Sequence, residues 1–301
     1  LLMLFRVRFL CWAYAVGVIG MLQGLAKLMP GIGESEAMSW LTAPLLALEL
    51  PPLLALIAVL HFAEAVFVSF QGARLGTPLF VEGKRGKIVG GYQLQGFWPM
   101  ALFLIVPLQQ ASAVVAPLPW TPLLGGELWQ NGWTIVSFPV MIGFSEMTLS
   151  RLPKQKAKAS AKLLTIYSVV LLGLAALSAW LPAITFLASL LCIVLHEAMM
   201  VYSRWKESKR SPVFVHSERG LKILAVLPGS PAEELGLKVG EIVAKVNGIP
   251  VRTRQELHQA VQLNSAFCRL EVLDDRLENR FLKRALYAGE HHQLGIILAP
   301  D

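Results

Sequence analysis

Apolar positions run in long unbroken stretches through the first two-thirds of the chain, then give way after about residue 203 to short alternating runs. A helix needs roughly 20 mostly apolar residues to cross a bilayer core. Six stretches meet that length: 9–29, 51–71, 97–117, 131–149, 162–181 and 183–203. The third is weakened by Gln109 and Gln110, and the second contains His61 and Glu64. Residues 41–50 are also apolar, but Pro44, Pro51 and Pro52 break them off as a short interfacial piece. The pattern predicts an α-helical membrane bundle of about six transmembrane helices over residues 1–204. A small α+β domain follows over residues 205–301.

Charge adds an orientation. The chain is 55% hydrophobic and 16% charged, against roughly 25% charged in soluble domains. Arg6 and Arg8 precede the first span, and the loop after it has no Lys or Arg but carries Glu34 and Glu36. The next loop holds Arg74, Lys84, Arg85 and Lys87, and the one at 118–130 holds none. Arg151, Lys154, Lys156, Lys158 and Lys162 follow, then a turn at 181–182 without basic residues, then Arg204, Lys206, Lys209 and Arg210. Under the positive-inside rule every basic loop is cytoplasmic, and so are both ends of the chain. The net charge of +7 is therefore a topology signal, not the footprint of a nucleic-acid binder. The basic loops either fix topology alone or also hold anionic lipid headgroups, at roughly 1 kcal/mol per basic residue.

Cysteine usage points away from a disulfide framework. Cys11, Cys192 and Cys268 are scattered and form no CxxC pair, which also argues against a structural zinc site. No cofactor is implied. The chain opens on an apolar residue without Met, as a cut fragment would. Arg6 and Arg8 imitate a signal peptide, but Leu25-Ala26-Lys27 is a poor cleavage site.

Residues 212–300 read as short strands and two helices. Leu221–Leu227 is apolar and β-prone, Pro228-Gly229 turns the chain, and Ser230 caps a short helix with Pro231 at its first position. Ile242–Val246 is a strand, closed by the tight turn Asn247-Gly248. Thr253-Arg254-Gln255-Glu256 is a capping box, opening a helix with Leu257, Ala260 and Val261 on one face. Strands at Cys268–Leu273, Arg280–Tyr287 and Leu294–Leu298 complete the series. The run Gly220-Leu221-Lys222-Ile223 … Pro228-Gly229-Ser230-Pro231-Ala232 … Gly236-Leu237 … Gly240 … Asn247-Gly248 resembles a PDZ domain of the circularly permuted bacterial type. That resemblance implies a groove between the strand near 221–226 and the helix near 254–263, where a partner's C-terminal tail adds a strand. Backbone amides around Arg219, Gly220 and Leu221 would receive its carboxylate. Lys222, Ile223, His258 and Val261 would complete the groove, unless Leu221, Ile223 and Val261 are simply core.

Membrane helices joined to a PDZ domain are also similar to site-2 intramembrane zinc proteases. Leu195-His196-Glu197-Ala198-Met199-Met200 begins like their HExxH, which puts two His on one helix face around a zinc. Met200 replaces the second His, and the only aspartates, Asp274, Asp275 and Asp301, lie in the C-terminal domain. Two of the three ligands that enzyme needs are therefore absent, and the alternative to an adaptor is a site-2-type intramembrane zinc protease or its inactive relative. His61, Glu64, Glu146, His196 and Glu197 remain costly in lipid and belong in a bundle interior. They either fix helix register by hydrogen bonds, build a metal or proton site from His61, Glu64, His196 and Glu197, or serve transport.

A second stretch narrows the family. His61-Phe62-Ala63-Glu64-Ala65 and the run from Gly83-Lys84-Arg85-Gly86-Lys87 through Gly90-Gly91-Tyr92 to Gly96-Phe97-Trp98-Pro99 stand before the PDZ-like module. Together they resemble the MinJ-type polytopic PDZ proteins of rod-shaped Gram-positive bacteria. The resemblance implies a non-catalytic membrane adaptor in division-site selection, at the division septum and poles. It would link a DivIVA-type polar scaffold to MinD and the FtsZ-regulating divisome proteins.

Overall fold

The computed structural model describes residues 11–28, 39–84, 86–108, 110, 120, 124, 127–264, 267–285 and 294–300. Arg6, Arg8, Glu34, Glu36, Arg85, Gln109 and the end of the strand expected at 280–287 lie outside them. Two compact units form. One takes the chain up to Gln71 with Gly96–Phe144 and Lys158–Arg204; the other takes Gly72–Gln95, Ser145–Ala157 and the chain from Trp205 onward.

The first unit is built on apolar helices: α1 (Trp12–Leu28), the short α2 (Ser39–Leu46), α3 (Leu50–Gln71), α4 (Pro153–Trp180) and α5 (Thr185–Ser208). At 1.5 Å per residue, α3, α4 and α5 are long enough to cross a bilayer core, and α1, at 17 residues, is shorter. α3, α4 and α5 cover most of the spans expected at 51–71, 162–181 and 183–203, and α1 lies within the one expected at 9–29. Their outward residues, such as Phe62, Phe70, Val169 and Val194, are large, apolar and exposed. Such a surface suits lipid as its solvent.

In the described residues of the other two expected spans no α-helix forms, and 111–117 lie outside those residues. Residues 97–107 belong to strand β2 (Ile88–Pro107), and residues 133–148 form strand β3 (Trp133–Thr148). With β1 (Gly76–Glu82) they make a three-stranded sheet in the order β1-β2-β3, and β1 runs antiparallel to β2. The reason is local. Pro99 and Pro139 would each break a helix interior, and Ile135, Val136, Val140 and Ile142 are β-branched. Pro99 also lies past Leu94, where the pairing with β1 ends, and Pro139 lies on an edge strand, so neither missing N–H breaks a two-sided ladder. An apolar run without period does not distinguish strand from helix.

α1 and α5 approach closely. A Cβ at Gly17, Gly20 or Gly24 would fall 2.4, 2.0 and 2.4 Å from atoms of Ile193, Ser189 and Phe186. A small-residue face is the usual device for close helix contact in lipid. Cys192 Sγ donates to the Ala13 carbonyl at 3.6 Å, and the Tyr167 hydroxyl donates to the Cys192 carbonyl at 2.9 Å. These bonds tie α1, α4 and α5 together.

The second unit carries the α+β module. Its sheet order is β8-β7-β5-β4-β9, from β4 (Leu221–Val226), β5 (Ile242–Val246), β7 (Phe267–Leu273), β8 (Asn279–Ala285) and β9 (Ile296–Leu298), with the short β6 (Ile249–Pro250) against β5. Helices α6 (Pro231–Glu234) and α7 (Arg254–Gln262) complete it. The expected caps are present: Ser230 caps α6, and Thr253 with Glu256 forms a reciprocal capping box on α7. Asn247 and Gly248 take φ of 53° and 86°, the left-handed pair that a two-residue hairpin turn requires. One core joins Leu221, Ile223, Val243, Val246, Val261, Leu270 and Leu298. A second joins Leu224 and Ala299 to Tyr92 of β2 and the fully buried Phe214. The unit also binds its own earlier segments by polar contacts. Glu207 accepts from the backbone N–H groups of Leu149 and Ser150 at 2.8 and 2.7 Å, and Lys156 pairs with Glu146 at 3.1 Å. Glu146, expected at the end of a membrane span, is thus an ion-paired residue of β3.

Gly220 has φ of +143°, and a Cβ there would stand 2.3 Å from the Val243 carbonyl oxygen. Gly220→Ala is expected to destabilise the second unit by about 2 kcal/mol, read as a lowered thermal midpoint of the full-length protein. An unchanged midpoint would contradict this placement.

Candidate functional site

A PDZ-type site is an exposed strand edge that accepts another strand, so the strand order decides where it is. β4 cannot serve. β5 pairs with it along Leu221 and Lys222, and β9 pairs with it from Ile223 to Val226. The Ile223 N–H donates to Glu241 and its carbonyl accepts from Gly240, at 2.8 and 2.9 Å. The amides expected to receive a carboxylate are engaged too: Gly220 N–H donates to the Ser217 carbonyl at 3.2 Å, and Arg219 N–H to Ser217 Oγ at 3.3 Å. Leu221, Ile223 and Val261 are core residues. Lys222 Nζ donates to the Val213 carbonyl at 3.0 Å, and burial pushes its ammonium below the usual lysine range. The groove expected beside Arg219–Ile223 is therefore closed, because β4 is an interior strand.

β8 and β9 are the two terminal strands of the sheet, and β9 is the one beside β4. Leu227 N–H donates to the Gly295 carbonyl and Ala299 N–H to the Lys222 carbonyl, both at 2.8 Å. Backbone groups alternate in an antiparallel ladder, so Ile296 and Leu298 aim theirs away from β4. No further strand lies on that side among the described residues. Leu294 and Leu298 share a core with Val261 of α7, which ties the edge strand to the helix. His258, one turn before Val261, is exposed and bonded to Gln262 at 2.9 Å. The edge itself escaped the sequence reading because Ile296–Leu298 looks like any terminal strand.

In the first unit the ionisable residues of the apolar helices converge. His61 of α3 and His196 of α5 pack edge to face, with ring centroids 5.4 Å apart. The Cys11 Sγ lies 3.3 Å from His61 Nε2 and 3.6 Å from His196 Nε2. Tyr167 of α4 packs edge-on against both imidazoles, at 5.0 and 5.6 Å. The Tyr14 hydroxyl donates to the Glu197 carboxylate and stands 3.3 Å from His196 Nδ1. Of the four residues expected as metal candidates, His61 and His196 come together directly, and Glu197 stands behind His196 through Tyr14. Glu64 is half-buried on α3 beside His61's face. Cys11 was missed, since cysteine spacing alone ties it to nothing; two histidines in apolar helices were the available signal.

Residues 222–273 match the family described as a PDZ domain. Beyond that segment, the chain is 33% identical over 245 residues to the cell division topological determinant MinJ of Bacillus subtilis (strain 168), covering 78% of this chain and 58% of that relative. This is a MinJ-like PDZ protein. The MinJ-like chain is also 25% identical over 292 residues to the probable cell division topological determinant MinJ of Lacticaseibacillus paracasei, covering 92% of this chain and 71% of that one. Over 81 residues it is 32% identical to the putative protease Do-like 14 of Arabidopsis thaliana, covering 27% of this chain and 14% of that one. The MinJ likeness thus runs through both the apolar helices and the PDZ module, and the MinJ relatives are named as division determinants, not enzymes. The chain spans a little under three-fifths of the length of the Bacillus relative.

The PDZ core of this MinJ-like chain makes a chemical prediction. Cys268 is fully buried in β7, and burial pushes its thiol up to about 11. Thiolates, not thiols, attack alkylating reagents. Cys268 should label with iodoacetamide on the order of 100-fold more slowly in the native protein than in denaturant, as measured by mass spectrometry. Equal rates would show an open core.

Proposed function

We propose that this chain is an integral membrane adaptor in bacterial division-site selection, holding its PDZ module at the cytoplasmic face. The observation that carries the reading is the likeness to MinJ determinants through the helices as well as the module. In the finer form of the proposal, the adaptor links a DivIVA-type polar scaffold to MinD and the FtsZ-regulating machinery, at septum and poles. The open edge of β9 supplies the binding chemistry. A strand added there would use the outward backbone groups of Ile296 and Leu298, with specificity from alternate side chains. One added strand buries little area, and fixing the module to a membrane raises its local concentration for a weak ligand.

Charge supports the orientation. Losing the spans expected at 97–117 and 131–149 removes two consecutive crossings, so the parity of the remaining crossings is unchanged. With α1, α3, α4 and α5 as crossings, the basic residues at 74–87, 151–162 and 204–210 still share one side. The positive-inside rule makes that side cytoplasmic. The intramembrane-protease alternative finds less support: Met200 stands in place of the second histidine, and the chain's three aspartates are at 274, 275 and 301.

A reporter fused after Asp301 should be shielded from protease added to intact cells and become sensitive on lysis; sensitivity in intact cells would refute the cytoplasmic placement. In a two-hybrid assay against MinD-type and DivIVA-type proteins of the same cell, Arg219→Glu should retain the signal. Removal of residues 294–300 should abolish at least one interaction. Retention of both after that removal would reject the β9 edge as the docking site.

A further inference from the structure

We propose that Cys11, His61 and His196 form a zinc site inside the apolar unit. The geometry carries the proposal. A zinc ion sits about 2.3 Å from a thiolate sulfur and about 2.0–2.1 Å from an imidazole nitrogen, so a tetrahedral site spaces sulfur and nitrogen about 3.5 Å apart. Here the two spacings are 3.3 and 3.6 Å. All three ligand atoms lie within 4.8 Å of one another.

Hydrogen bonding already sets both histidines in the metal-binding tautomer. His61 Nδ1 lies 2.9 Å from the Ile57 carbonyl. A carbonyl only accepts, so Nδ1 carries the proton and Nε2 presents its lone pair to Cys11. The Tyr14 hydroxyl gives its proton to Glu197, so its oxygen is left to accept from His196 Nδ1–H. His196 Nε2 then presents a lone pair as well. Partners of this kind, a backbone carbonyl on one histidine and a carboxylate relay on the other, are the usual outer shell of a metal-bound imidazole. A thiol has one proton to share between two nitrogens, whereas a cation binds both nitrogens and the sulfur at once.

One thiolate with two imidazoles suits borderline-soft zinc better than calcium or magnesium, which take oxygen ligands. The thiolate and the Glu197 carboxylate offset the divalent charge, which an apolar interior demands. Zinc here would fasten three separate segments: the residue before α1, α3 and α5. Three protein ligands leave a fourth position for water.

The test uses the full-length protein in detergent. Elemental analysis after growth with zinc should find close to one zinc per chain. Cys11→Ser and His196→Ala should lose it, while Cys192→Ser and Cys268→Ser retain it. Tyr14→Phe keeps all three ligands but breaks the relay, and should weaken zinc affinity about tenfold. A ligand variant that misfolds also loses metal, so the wild-type protein loaded with cobalt decides. It should show a thiolate-to-cobalt charge-transfer band together with the strong visible bands of tetrahedral cobalt. Failure to bind zinc or cobalt, or a cobalt spectrum without the thiolate band, would overturn the proposal and leave a purely hydrogen-bonded cluster.

Discussion

The approach of α1 to α5 governs the interior of the apolar unit. Hydrogen at Gly17, Gly20 and Gly24 lets the helix backbones come within reach of Ile193, Ser189 and Phe186. In lipid no hydrophobic force drives such contact, so close packing and interhelical hydrogen bonds must supply it. The consequence is chemical as well as mechanical. The same contact holds Tyr14 beside His196 and Glu197, and Cys192 beneath the Ala13 carbonyl. Costly polar groups are thereby gathered into one place where each satisfies another, the arrangement that an apolar solvent enforces.

A different constraint rules the second unit: every buried backbone donor and acceptor needs a partner. β4 meets it from both sides, through β5 and β9. The outer edge of β9 is left without a pairing strand among the described residues. Phe214 and Tyr92 pack with Leu224 of β4 in a second core, so Tyr92, far ahead of the module in the chain, helps to complete it. Excision at residue 205 would remove Tyr92 from that core and keep Phe214.

The MinJ likeness joins these constraints to a biological setting. Beside helices long and apolar enough to cross a membrane, the chain carries a PDZ module whose β9 edge no strand pairs among the described residues.

Much of this was legible in sequence because it is short-ranged. The apolar spans within α3, α4 and α5, the Thr253–Glu256 capping box and the Asn247-Gly248 turn depend on neighbours close in the chain, whereas the start of α4 at Pro153 falls within the loop expected at 150–161. Long-range pairing was not legible. Residues 97–107 and 133–148 are apolar enough for helices, and their prolines and β-branched side chains, together with partners to pair with, make them strands. The interior position of β4 follows from β9, more than 70 residues later, folding back against it. Cys11 meets His61 across 50 residues and His196 across 185. Hydrophobicity and caps decide which segments become helices; only packing decides which side chains and strand edges those segments bring together.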